Sequence, residues 1–106
     1  DVIAFSTTIA SDKNLKQNIQ QIESPIEKIK SINGVTFDWI KNNKSSGGVI
    51  AQEVQEVLPS LVSQVEDLNS ESSHLAVDYN GIIGLLIETV KEQQNQIDEL
   101  KALVKA

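Results

Sequence analysis

From Ile83 to the end, the chain sets an apolar residue alternately three and four positions apart. With Ile83 at position a of a heptad, Val90, Ile97 and Val104 also fall at a, and Leu86, Gln93 and Leu100 fall at d. Six of these seven positions are apolar, and all four a sites carry a β-branched residue. So narrow a stripe suits a coiled-coil seam better than the wide apolar face of a helix lying on its own domain. Roughly 26 helical residues reach about 39 Å, longer than a domain of this size is wide. Residues 79–106 are therefore expected to form one self-associating helix. The seam does not fix the number of strands. Gln93 would sit on the axis and could set the register.

What precedes this helix can bury little. The chain has 106 residues, enough for one small domain. Phe5, Phe37, Trp39 and Tyr79 are its aromatic residues, so the core must be built from Ile, Val and Leu and will be thin. Help from oligomerisation is expected on that ground as well. The formal charge is −6, with nine lysines and no arginine. That balance argues against nucleic acid and against an anionic membrane as partners. Without cysteine there is neither a disulfide framework nor a thiolate metal site. No apolar run approaches the roughly 20 residues that span a bilayer. The opening "DVIAF" lacks the cationic region of a signal peptide and reads as the middle of a longer chain.

Along the chain, residues 2–9 alternate in a β-rich pattern and predict a strand, followed by a polar, irregular stretch over 10–18. "ESPIEKIKSI" predicts a helix with Ser24 as N-cap, Pro25 at the first helical position and Glu27 at the third. Ile22 is placed to staple against Ile29, and Asn33–Gly34 would end the helix with Gly34 at positive φ. "VTFDWI" predicts a strand with Val35, Phe37 and Trp39 on one face, and "KNNKSSGG" a flexible connector. "GVIAQEVQEVLPSLV" should start as a short buried strand and turn helical through Val54, Val57 and Leu58 until Pro59 stops it. Two strands follow, one around Leu61, Val62 and Val65 and one in "HLAVDY", placed to pair as a hairpin. The fold class is thus α+β: short strands and helices, then a long C-terminal helix.

The chemistry on offer is sparse. The single His74, read as lying in a loop, has no ligand cluster around it, and no metal site is expected. Gly47–Gly48 lacks the surroundings of a phosphate loop. Glu53 and Glu56 read as a solvated helix face, while Asp38 and Asp78 are placed to bond backbone amides in turns. Ser11 and Lys16 remain, five residues apart in "SDKNLKQNI". A serine hydroxyl needs a base to take its proton, and a lysine is a base only when burial or a nearby cation keeps it neutral. Packing of Leu15 and Ile19 inward would bury Lys16. Spacing alone does not require that.

Four blocks in order, "SDKNLKQNI", "IEKIKSINGVTFDW", "GVIAQEVQEVLPSLV" and "LAVDYNGIIGLLIETVKEQQNQIDEL", carry a family likeness. The sequence resembles the C-terminal intramolecular chaperone domain of bacteriophage tail spikes and tail fibres, as in the endosialidases, a type also found in the myelin regulatory factor. The resemblance implies a homotrimer that helps a covalently linked N-terminal passenger to fold, then releases itself by autoproteolysis. It makes Ala10–Ser11 the scissile bond, Ser11 the nucleophile and Lys16 the general base, with Asp12, Gln52 and Glu53 as candidate positioning groups. It divides the chain into the end of a passenger strand (1–10), an α+β chaperone region (11–78) and a trimeric coiled coil (79–106). It implies no cofactor, a location in the host cytoplasm during virion assembly, and loss from the mature tail after cleavage. Pairing of trimers into hexamers stays open.

One departure stands out. Several members have a histidine just before the Gly of the "GVIAQEV" block, where Ser45, Ser46 and Gly47 precede Gly48 here. Because residues on the amino side of the cut are present, an uncleaved precursor is expected. From the residues alone, an inert trimerisation and capping module and a dimeric coiled-coil adaptor remain as alternatives.

Overall fold

The computed structural model describes residues 8–68 and 72–105. Its elements in order are helix α1 (Pro25–Lys30), strands β1 (Val35–Asp38) and β2 (Ser45–Gly48), helix α2 (Ala51–Val57), strands β3 (Val62–Glu66) and β4 (Ser73–Val77), and helix α3 (Tyr79–Lys105). Two short 3-10 turns, Lys13–Leu15 and Pro59–Leu61, punctuate it. The architecture is α+β, with two separate two-stranded antiparallel sheets and one long helix.

Helix α3 holds the molecule together. Its 27 residues extend about 40 Å at 1.5 Å per residue. The molecule is correspondingly elongated, 65 × 37 × 24 Å. The first part of α3 lies on the small domain, chiefly against α1 and the turn at Pro59–Leu61. It buries Ile82, Leu85 and Thr89, one stripe at helical spacing, and the Thr89 hydroxyl is satisfied by the Leu85 carbonyl at 2.8 Å. Val54 of α2 is, like Leu85, fully buried. The core is therefore as thin as the composition implies. The heptad stripe is a different face. Ile83, Leu86, Val90, Ile97, Leu100 and Val104 are all exposed, between 45% and 85%. The two expectations for this helix were not exclusive: it lies on its own domain with one stripe and leaves the seam bare.

Local close approaches fix where α3 starts. Asp78 Oδ1 accepts from the Asn80 amide at 3.0 Å, and the Asp78 amide donates to the Leu61 carbonyl at 2.7 Å. The methyl groups of Leu61 occupy the space a Cβ at Gly81 would need. The Tyr79 hydroxyl likewise stands where a Cβ at Gly48 would point, and it accepts from the Val49 amide at 3.3 Å.

The β3–β4 hairpin forms as expected, with Val62 opposite Val77 and Val65 opposite His74. His74 thus lies on β4 and not in a loop, its Nδ1 3.1 Å from Asp67 Oδ1. The segment expected as a flexible connector is a strand. Ser45–Gly48 pairs along β1 from Asp38↔Ser45 to Val35↔Gly48. Asn42 and Asn43 make the turn. Asn43 takes a left-handed conformation, its amide donates to the Trp39 carbonyl, and the Lys44 amide donates to Asn42 Oδ1. The short strand expected at the start of "GVIAQEV" is shifted back accordingly, ending at Gly48.

At α1 the start at Pro25 holds, but the helix ends earlier than expected and the expected caps do not form. Ser24 adopts a left-handed conformation and its side chain makes no capping bond; the Ser24 carbonyl accepts from the Lys28 amide, and the Lys28 ammonium bonds the Glu23 carbonyl. Ile22 faces Gly84 of α3. Gly34 is not at positive φ, because the helix already ends at Lys30 with Ser31 as C-cap. Asp38 bonds the Ser45 hydroxyl at 2.6 Å and not a turn amide. The strand expected over 2–9 lies outside the described residues up to position 7, and Thr8 to Ala10 have no regular structure.

Two glycine replacements should differ in sign. Gly81→Ala, normally favourable in a helix, should destabilise by about 1–3 kcal/mol because Leu61 must move. Gly34→Ala, with open space and negative φ, should stabilise by about 0.4–1 kcal/mol. Urea denaturation of both variants at one protein concentration decides it.

Candidate functional site

The segment before α1 carries the chemistry. Asp12 is extended, and its Oδ1 accepts from the Asn14 amide at 2.8 Å, capping the turn at Lys13–Leu15. The Leu15 amide donates to the Asp12 carbonyl at 3.0 Å, and the Lys16 amide donates to the Lys13 carbonyl at 3.1 Å. This tight turn reverses the chain within five residues. It brings the Lys16 ammonium back over Ser11, with Lys16 Nζ 2.7 Å from Ser11 Oγ. A hydroxyl and an amine are thus within hydrogen-bond reach, held by local geometry alone.

Both side chains are exposed in the single chain. Leu15 and Ile19 do not fold inward to bury Lys16: they are 72% and 65% exposed.

The three candidate positioning groups are scattered. Asp12 acts on the turn itself. Glu53, expected on a solvated face, is engaged elsewhere: Oε1 accepts from the Asn33 amide at 3.0 Å and Oε2 from the Asn33 side chain at 3.1 Å. This two-pronged grip pins the α1–β1 connection to α2. Sequence reasoning missed it, although an Asn–Gly turn with free amides was the available signal. Gln52 lines an open groove of about 660 Å³ with Phe37, Trp39, His74 and Tyr79, a groove that does not include Ser11 or Lys16. Phe37 and Trp39 meet edge-to-face there, centroids 4.8 Å apart. Among the described residues, no three His, Cys, Asp or Glu side chains are grouped to hold a metal ion, and no helix is long and apolar enough to cross a membrane.

Residues 11–63 match a family model described as the chaperone of endosialidase. The match covers the Ser11–Lys16 turn, both strands of the first hairpin and α2. Over nearly the whole chain there is similarity to the long tail fiber protein Gp37 of several phages. The protein of Enterobacteria phage K3 is 34% identical over 107 residues, covering 96% of this chain and 8% of the relative. That of Enterobacteria phage T2 is also 34% identical, with the same coverage. That of Salmonella phage S16 is 32% identical over 105 residues, covering 92% of this chain and 14% of the relative. The chain therefore spans only a small part of the length of these relatives.

If Glu53 is a tether, Glu53→Ala should cost on the order of 1–3 kcal/mol, the range for a hydrogen bond to a charged group. Asn33→Ala combined with it should add little, since the two share one interaction. Additive losses in a denaturation double-mutant cycle would contradict this.

Proposed function

The chain belongs to the chaperone-of-endosialidase family, and from that premise we propose that it is the C-terminal intramolecular chaperone of a phage tail fibre or tail spike. It assembles three copies at the end of a fibrous passenger and then severs itself at Ala10–Ser11. The observation that carries this reading is the 2.7 Å contact between Lys16 Nζ and Ser11 Oγ inside the span that the family matches.

The chemistry follows from these atoms. Neutral Lys16 takes the Ser11 hydroxyl proton, and Oγ attacks the carbonyl carbon of Ala10, the residue before it. The oxyanion collapses as the Ala10–Ser11 C–N bond breaks, and Lys16 returns the proton to the departing nitrogen. The amide has become an ester with a free Ser11 amine. Water then hydrolyses the ester, restoring the hydroxyl and leaving a carboxylate on Ala10. Each chain cuts once. Backbone amides near the turn stabilise the oxyanion. Asp12 contributes by holding the turn, and Gln52 and Glu53 act as positioning groups only if assembly brings them to it.

Lys16 must lose water to serve as a base. In the assembled protein, Leu15 and Ile19 are covered by the other copies or by the folded passenger, and the lysine between them is covered too. Cutting then follows assembly. The exposed seam of Ile83, Leu86, Val90, Ile97, Leu100 and Val104 supplies that assembly. Joining three C-termini raises the local concentration of the passenger strands and starts them in register. That offsets the loop-closure entropy that slows long-range β assembly. Removing the clamp afterwards leaves the folded shaft kinetically trapped. The relatives, all long tail fiber proteins, fit a virion-assembly setting.

Denaturing mass spectrometry of the chain fused to its natural upstream region tests the cut. A fragment beginning at Ser11 is expected from the wild type and from neither Ser11→Ala nor Lys16→Ala. Intact chains in all three would leave an inert trimerisation module. Sedimentation equilibrium tests the assembly: a trimer is expected, and Ile97→Asp should dissociate it, because each charge buried in the seam costs several kcal/mol. A wild-type dimer or monomer at micromolar concentration contradicts the proposal.

A further inference from the structure

Asn33–Gly34 is one of two Asn–Gly pairs in the chain, and the two are held differently. In the other, Asn80–Gly81, the Gly81 amide donates to the Asp78 carbonyl at 3.1 Å in the first turn of α3, and the Asn80 amide donates to Asp78 Oδ1 at 3.0 Å. Asn33 and Gly34 instead lie exposed between α1 and β1, outside helix and strand. The space around Gly34 is open: a Cβ there would meet nothing within 4 Å. What holds the pair is Glu53, half-buried on α2 beside the fully buried Val54. Its Oε1 accepts from the Asn33 backbone amide at 3.0 Å and its Oε2 from Asn33 Nδ2 at 3.1 Å.

An asparagine followed by glycine can modify itself, because no Cβ obstructs the approach of the glycine nitrogen to the preceding side chain. The Gly34 nitrogen attacks Asn33 Cγ. The N–Cγ bond forms, the Cγ–Nδ2 bond breaks, and the Gly34 amide proton leaves with Nδ2 as ammonia. Water then opens the cyclic imide at either carbonyl, leaving aspartate or isoaspartate at position 33. Nothing is oxidised or reduced. The Glu53 grip opposes the first step in two ways. The oxygens of one carboxylate are close neighbours, so Nδ2 is kept on the side of Asn33's own amide and Cγ is kept off the Gly34 nitrogen. The carboxylate charge also disfavours the negative charge that builds on the attacked amide. We propose that Asn33–Gly34 is a self-modification site held in check by Glu53, reacting when the α1–β1 connection lets go of α2. The change is one-way. A carboxylate at position 33 has no Nδ2 to donate and faces a like charge, so the side-chain half of the grip does not re-form. Neither the cut at Ala10–Ser11 nor the joining of copies is required.

The full chain is kept at mildly alkaline pH, both folded and unfolded in urea. Conversion at each Asn–Gly pair is followed by peptide mass mapping, with isoaspartyl methyltransferase marking isoaspartate. The unfolded chain gives the unprotected rate at both pairs, and in the folded wild type both should be slower. Glu53→Ala should speed conversion at Asn33 about tenfold or more, the factor that corresponds to losing a hydrogen bond to a charged group, and leave Asn80 slow. If Glu53→Ala unfolds, Asn80 quickens along with Asn33, and the wild type in urea below its unfolding transition decides: Asn33 should quicken before Asn80. Three results overturn the site. Asn33 converts in the folded wild type as fast as in the unfolded chain; or a folded Glu53→Ala leaves its rate unchanged; or both pairs quicken together in dilute urea.

Discussion

Two adjacent stripes on one helix carry opposite duties, and the rest of the molecule depends on their separation. Ile82, Leu85 and Thr89 face inward, and Ile83, Leu86 and Val90 lie one residue further round. A step of one residue is about 100° on a helix, enough to turn from the domain to open solvent. Had the domain claimed the second stripe as well, Ile83, Leu86 and Val90 would not stand open to solvent. Had it claimed neither, α1 and the turn at Pro59–Leu61 would lose the surface they pack on. Gly81 makes the inward side work, since Leu61 approaches there more closely than a Cβ would permit, and Ile22 packs in ordinary contact distance at Gly84.

The same economy explains the site. A Ser–Lys pair could have been assembled from distant elements, as in most enzymes, but this domain has little rigid interior from which to position anything. It uses a single turn instead, closed by three local hydrogen bonds and capped by Asp12. Such a site needs no tertiary structure to bring its atoms together. It does need something to exclude water, and the thin domain supplies none. The geometry is thus in place in the single chain, while Ser11 and Lys16 stay open to water beside an uncovered Leu15 and Ile19.

How much of this could be read beforehand depended on whether side-chain pattern or backbone pairing decides an element. Helix α3, helix α2 and the β3–β4 hairpin were legible because each carries apolar periodicity of the right period. Ser45–Gly48 was not, because a strand of two serines and two glycines has no pattern to read. Its formation rests on β1 offering a free edge and on Asn43 accepting a left-handed turn. Capping failed at Ser24 for a related reason: the chain must reach Ile22's place beside Gly84 before entering α1, and the backbone bends through Ser24 to do so. The Ser11–Lys16 pair was nameable through family likeness, whereas Glu53's grip on Asn33 required knowing that residues 20 apart would meet.

The thin core has a final consequence for how folding and assembly relate. Three apolar side chains are deeply buried among the described residues, while the seam alone leaves six large ones in water. Stability is a small difference between burial and chain entropy, and a domain with so few buried groups has little surplus of its own. Covering the seam adds apolar burial comparable to the whole interior, at about 25 cal/mol per Å². Ordering α3 against the domain also presents the seam, so any surface that covered it would add to the stability of the domain.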